Sequence, residues 1–143
     1  FAPVDEQNLK EGKLHSEFYE ISQEEADAIN NAKKSGKKVV AVGTTSMRAL
    51  ESATDERGVI HPQYGETSIF ITPGYAFRIV DGLVTNFHLP QSSLLMLVSA
   101  FCSWPNTNEI FTTFHDSLMG KAYKEAVEKN YRFFSFGDSS LIM

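Results

Sequence analysis

Asn86 and His88 stand directly before "LPQSSLLMLVSAF", a run apolar enough to be covered on all sides. An amide that donates and accepts, beside a ring that titrates near neutral pH, can move protons or orient a substrate hydroxyl. The same pair can instead tie down a corner of the fold, and residue chemistry leaves both roles open. Other polar clusters share that ambiguity. "HSE" at 15–17 puts His15 and Glu17 on the same side of an extended segment. "GTTS" at 43–46 offers the hydroxyls of Thr44, Thr45 and Ser46 and backbone N–H groups at a helix start, either as caps or as ligand contacts. Arg48 in the first turn opposes the helix dipole and so calls for an anionic partner. Tyr75 and Phe77 follow the Pro73-Gly74 break, and Gly137-Asp138 closes the series as a turn.

The familiar cofactor signatures are missing. No G-x-x-x-x-G-K-[ST] loop occurs, and "GTTSMR" has only one of the glycines that a dinucleotide fingerprint needs. His15, His61, His88 and His115 have neither H-x-x-x-H spacing nor a cysteine partner, so no metal is expected. There is no Gly-x-Ser-x-Gly elbow. Cys102, the single cysteine, excludes an internal disulfide and reads as a packing thiol behind the apolar helix. A formal net charge of −5 argues against a surface built mainly to grip phosphates. The lysines at 33, 34, 37 and 38 are accounted for by the negative end of a helix, with an RNA patch the less favoured reading.

The elements that must position these groups follow from periodicity. With 143 residues, 42% of them hydrophobic, the chain predicts one α/β domain over 1–143, a mixed β-sheet covered by helices. Ser22 with Glu25 is a capping box that opens a helix ended by Ser35-Gly36. "KVVAVG" predicts a strand buried on both faces, turning through "GTTS" into the helix "MRALESA". "FRIVDGLVTNF" predicts a hairpin about Asp81-Gly82. Its second strand would send Val84, Asn86 and His88 to one face and Leu83, Thr85, Phe87 and Leu89 to the other. Ser92 or Ser93 caps "LLMLVSAF"; Asn106 with Glu109 opens a helix near "EIFTTF"; "GKAYKEAVEKN" is another, ended by Asn130; and "YRFFSF" is a last strand. "LLMLV" is far shorter than the ~20 residues a membrane helix needs, and no signal-peptide pattern appears, which predicts a cytoplasmic protein. "FAPV" reads as a strand entered midway, as in a fragment.

Taken in order, the clusters resemble the S-adenosylmethionine:tRNA ribosyltransferase-isomerase family of queuosine biosynthesis. "FAPV" resembles the tail of its Gly-Thr-Phe-x-Pro-Val segment, and "LHSEFYEI" its Met-His-Ser-Glu stretch. "AVGTTSMRALES", "FITPGYAFRIVDGLVTNFHLPQSSLLMLVSAF" and "AYKEAVEKNYRFFSFGD" are similar to further blocks. The likeness runs essentially end to end. Ser139-Ser140 departs from the Ala-Met more usual there, and "WPNTNEIFTTFHDSLM" is longer than in many members.

The resemblance implies the C-terminal part of a larger two-domain enzyme, without its N-terminal portion and inserted β-barrel domain. It implies transfer and isomerisation of the ribosyl group of S-adenosylmethionine onto 7-aminomethyl-7-deazaguanine in a tRNA anticodon, giving epoxyqueuosine and releasing adenine and methionine. No metal is implied. The sulfonium acidifies the ribose carbon beside it, so a base is needed, and adenine needs a proton or strong hydrogen bonding to leave. On this footing His88, Asn86, His15 and Glu17 are the expected catalytic set. Thr44, Thr45, Ser46 and Arg48 would hold the methionine carboxylate or ribose, and Tyr75 and Phe77 would stack on a base. A monomer is expected, with the fragment inactive alone. The competing reading is a non-catalytic tRNA- or cofactor-binding module. A methyltransferase is disfavoured by the missing Gly-rich turn.

Overall fold

A computed structural model describes residues 6–143; "FAPV", and with it the expected opening strand, lies outside them. In chain order the elements are α1 (Glu6–Glu11), β1 (Lys13–Ile21), α2 (Gln23–Lys34), β2 (Val40–Val42), α3 (Thr44–Ser52), β3 (Gln63–Ile69), β4 (Gly82–Asn86), α4 (Ser93–Phe101), α5 (Leu118–Glu128) and β5 (Ser139–Ile142). The class is α/β, with both antiparallel and parallel pairing. The strands divide between two sheets instead of joining one: β1 with β3, and the order β2-β4-β5. The described residues separate into two compact units, one of residues 6–12, 70–76 and 86–140, the other of 13–69, 77–85 and 141–143.

In the second unit, α2 begins as its sequence dictates. The Ser22 hydroxyl accepts from Glu25 N–H, and the Glu25 carboxylate accepts from Ser22 N–H. Gly36, at φ 72°, takes the left-handed position that ends the helix. The buried Ala26 then joins Ile21, Ala53 and Ile60 in one apolar cluster. β1 runs antiparallel to β3, with a register irregularity between Lys13 and Glu17. β2 runs parallel to β4, pairing Ala41 with Leu83. Ala41 is buried while Val40 and Val42 are exposed, Val42 by 71%, so β2 is packed on one face and not on both.

The hairpin at Asp81-Gly82 does not form. Residues 77–81 are not a strand, because the Asp81 carboxylate accepts from Val39 N–H and from Lys33 Nζ, at 2.7 and 2.8 Å. The backbone N–H of Asp81 is also turned to the Val39 carbonyl. Glu51 consumes the donors a strand would have used: its buried carboxylate accepts from the N–H groups of Arg78, Ile79 and Val80 at 3.0–3.2 Å. That segment is folded around a carboxylate and cannot pair with a neighbour.

In the first unit, Ser92 is the residue that caps α4, accepting from Leu95 N–H. Ser117 caps α5, and Asn130, at φ 56°, ends it. Gly120 is required by close approach: a Cβ there would sit 1.9 Å from the Phe114 carbonyl oxygen. Two expected elements are absent from this unit. Residues 106–114 form turns and loop, since the Asn106 amide donates to the carbonyls of Tyr75 and Ala100 and does not cap a helix. "YRFFSF" is likewise no strand. It folds into a turn, held by Phe134 N–H donating to Phe87 and Asp138 N–H donating to Arg132, and the final strand lies later, over Ser139–Ile142.

Candidate active site

The second unit brings two of the expected polar residues together. Arg48 projects from α3 and is only 4% exposed; its Nη1 donates to the Glu17 carboxylate of β1 and its Nε to the Ile69 carbonyl of β3. The anionic partner that its place near the helix start demands is therefore Glu17. Arg48 Nη2 is buried without a hydrogen-bond partner, a spare donor inside the unit. α3 is entered through Gly43, which supplies no side-chain cap. Thr44 is buried, whereas Thr45 and Ser46 are exposed. His15 is exposed on β1 within the register irregularity between Lys13 and Glu17, so the simple alternation expected to align it with Glu17 is interrupted. Phe77 lies half-buried in this unit, and Tyr75, also half-buried, belongs to the other.

The first unit holds Asn86 and His88, and it separates their roles. β4 ends at Asn86, whose Nδ2 donates to the carbonyls of Phe134 and Gly137 at 3.2 and 3.4 Å. Its amide donors fasten the 134–137 turn. Beyond the strand, His88 is 7% exposed, and its own N–H donates to the Tyr123 hydroxyl at 2.9 Å. The imidazole borders a cavity of about 1170 Å³, floored by Leu95 and Met96 of α4 and walled by Phe114, Tyr123 and Phe133. That volume matches or exceeds the roughly 300–1,000 Å³ of ordinary ligand pockets. Desolvation in this wall pulls the imidazole down to about 4, below the near-neutral value expected of its type, so it is neutral at pH 7 and a weaker proton acceptor than an exposed imidazole. Burial pushes the Tyr123 hydroxyl up to about 12, opposed only by the bond from His88 N–H. The wall is rigid by its ring packing: Phe87 meets Tyr123, Tyr131 and Phe133 at centroid distances of 5.3–5.5 Å.

Among the described residues, no group of three or more His, Cys, Asp or Glu side chains is gathered as a metal site requires. No helix there is long and apolar enough to cross a membrane. Burial raises the Cys102 thiol to about 11, which leaves it inert as expected of a packing residue.

The model of the queuosine biosynthesis protein family matches residues 1–142. This chain belongs to that family. Among curated relatives, the S-adenosylmethionine:tRNA ribosyltransferase-isomerases of Caldanaerobacter subterraneus and Acetivibrio thermocellus are 50% and 51% identical over 143 and 142 residues, which is 100% and 99% of this chain. That of Cupriavidus metallidurans is 53% identical over 99% of the chain. A crystal structure of S-adenosylmethionine tRNA ribosyltransferase from Thermotoga maritima is similar with a TM-score of 0.68 at 40% identity, covering 88% of this chain and 40% of that one. The chain spans about 38% of the length of the first two relatives.

Within the queuosine biosynthesis family, this chain adds residues to the candidate set that single-sequence reasoning missed. Tyr123, Phe133 and Lys121 belong to the His88 cavity. Tyr123 and Lys121 sit at a two-residue step in an amphipathic helix and look, from sequence, like one core and one solvated residue. Only the packing of α5 against α4 puts them beside His88.

Proposed function

We propose that the full-length protein is an S-adenosylmethionine:tRNA ribosyltransferase-isomerase acting in the cytoplasm, and that the His88 cavity belongs to its reaction site. The observation that carries the reading is a neutral imidazole in the wall of a large cavity, in a chain about half identical to such enzymes over its whole length. His88 is proposed to take up the proton that the amine of the tRNA base sheds as it joins the ribosyl group. The amine of 7-aminomethyl-7-deazaguanine joins the ribosyl group, adenine leaves with a proton, and methionine leaves as the thioether. Asn86 acts by fixing the turn behind the cavity. Thr44, Thr45, Ser46 and Arg48 are proposed for S-adenosylmethionine, where the spare Nη2 donor of Arg48 suits a carboxylate. Glu17 holds Arg48 in place, and His15 is exposed on the same strand. Tyr75 and Phe77 supply rings for stacking.

The test uses the full-length protein with S-adenosylmethionine and tRNA carrying the aminomethyl base. Nucleoside digestion and mass spectrometry should show epoxyqueuosine, with adenine released in equal amount. His88→Ala should lower turnover by about 10² or more. Near-normal turnover removes His88 from the chemistry, and methylated base in place of epoxyqueuosine sinks the assignment.

A further inference from the structure

We propose that the His88 cavity receives a nucleotide of the tRNA substrate, base inward and phosphate at the mouth, and not S-adenosylmethionine. This rests on the function proposed above and assigns one of its two substrates to one place. The mouth is formed by α5, where Lys121 and Lys124 stand three residues apart on the exposed surface and therefore share a helix face. Lys121 has no carboxylate partner among the described residues. The one carboxylate at the mouth, Glu128, lies 3.9 Å from Lys124, a solvent-exposed i,i+4 pair of small strength. In a chain of net charge −5, two lysines at the rim of an apolar hollow are a local reversal of sign.

Charge then separates the candidate ligands. S-adenosylmethionine carries a sulfonium, an ammonium and one carboxylate, so it arrives with net positive charge, and the rim repels it. A nucleotide arrives with an anionic phosphate on a planar base. Inside, the rings of Phe114, Tyr123 and Phe133 offer surface against which a base can stack, as enzymes that act on an extruded base require. The His88 imidazole, neutral at working pH, contributes no charge that would oppose the base or an amine it carries. The volume accommodates a base and its ribose, leaving the phosphate at the lysines.

The double variant Lys121→Gln/Lys124→Gln of the full-length protein removes both rim charges from exposed positions. Initial rates should show the KM for tRNA raised about tenfold and that for S-adenosylmethionine within twofold of wild type. The slope of log(kcat/KM) for tRNA against log salt should flatten by about 1.4, two single-stranded phosphate contacts at ~0.7 each. Filter binding of an anticodon stem-loop by the same two proteins gives a readout that needs no turnover, and it should weaken by a similar factor. Loss of adenine release from the wild-type enzyme with intact stem-loop discrimination would strike the proposed function and leave this placement standing. A raised KM for S-adenosylmethionine with unchanged tRNA binding, or no change in either, overturns the placement.

Discussion

Acid should destabilise this chain through His88 in a way that a single substitution can isolate. Burial in the cavity wall holds the folded imidazole at about 4, against about 6.5 in an unfolded chain. Between those values the unfolded state binds the extra proton, so stability is complete above pH 6.5 and is lost as pH falls toward 4. At ~1.4 kcal/mol per pH unit, the full window is worth on the order of 3 kcal/mol. The carboxylates of Asp55, Asp81 and Asp138 are also held low by their hydrogen bonds and also fail in acid. They are common to wild type and variant, and so drop out of the difference. His88→Leu replaces the ring by an apolar group suited to Leu95 and Met96 nearby. Urea unfolding followed by far-ultraviolet circular dichroism at pH 7 and pH 4.5 should show wild type losing about 2–3 kcal/mol more than His88→Leu. Parallel losses would mean that the imidazole is solvated, and the case for a neutral acceptor in the cavity would fail with it.

Two further outcomes concern the second unit. Glu51→Ala strands the N–H groups of Arg78, Ile79 and Val80 and should cost about 3–5 kcal/mol in urea unfolding; a loss below 1 kcal/mol would show that the segment finds other acceptors. Glu17→Gln leaves a buried guanidinium without its counter-charge and should cost about 1–3 kcal/mol, while the same change made in an Arg48→Met background should cost less than 1; equal costs in both backgrounds would separate the pair energetically.

What the sequence discloses depends on how far apart the partners are. Ser22 and Glu25 are three residues apart, and their capping box forms as read. Asn130 and Gly36 end helices for reasons of their own backbone. Asp81-Gly82 has the composition of a hairpin turn, yet its carboxylate is taken by Val39 and Lys33, more than 40 residues back, and Glu51 occupies the donors of 78–80. No local pattern carries that information. "YRFFSF" alternates like a strand, but the alternation serves rings: Phe133 turns to Phe87 and Tyr123. Arg48 is the intermediate case. Its need for an anion is legible from its place near a helix start, while the identity of the anion, Glu17, requires the β1–β3 pairing.

The two residues first singled out show how a one-residue change of backbone decides a role. Strict alternation would point Asn86 and His88 the same way, because they are two apart. β4 stops at Asn86, however, and Phe87 N–H donates to the Asp138 carbonyl while the Phe87 carbonyl accepts from Phe134 N–H. The 131–138 segment thus clasps the chain at Phe87, and Asn86 supplies two further bonds to the same segment. Past the clasp, the chain is free of strand geometry, and the N–H of His88 is met by Tyr123 of α5. The clasp that engages the amide as a fastening is also what carries the imidazole to the cavity wall. Removing Asn86 should therefore weaken any function of His88 without touching the ring itself, which is the behaviour of a positioning residue.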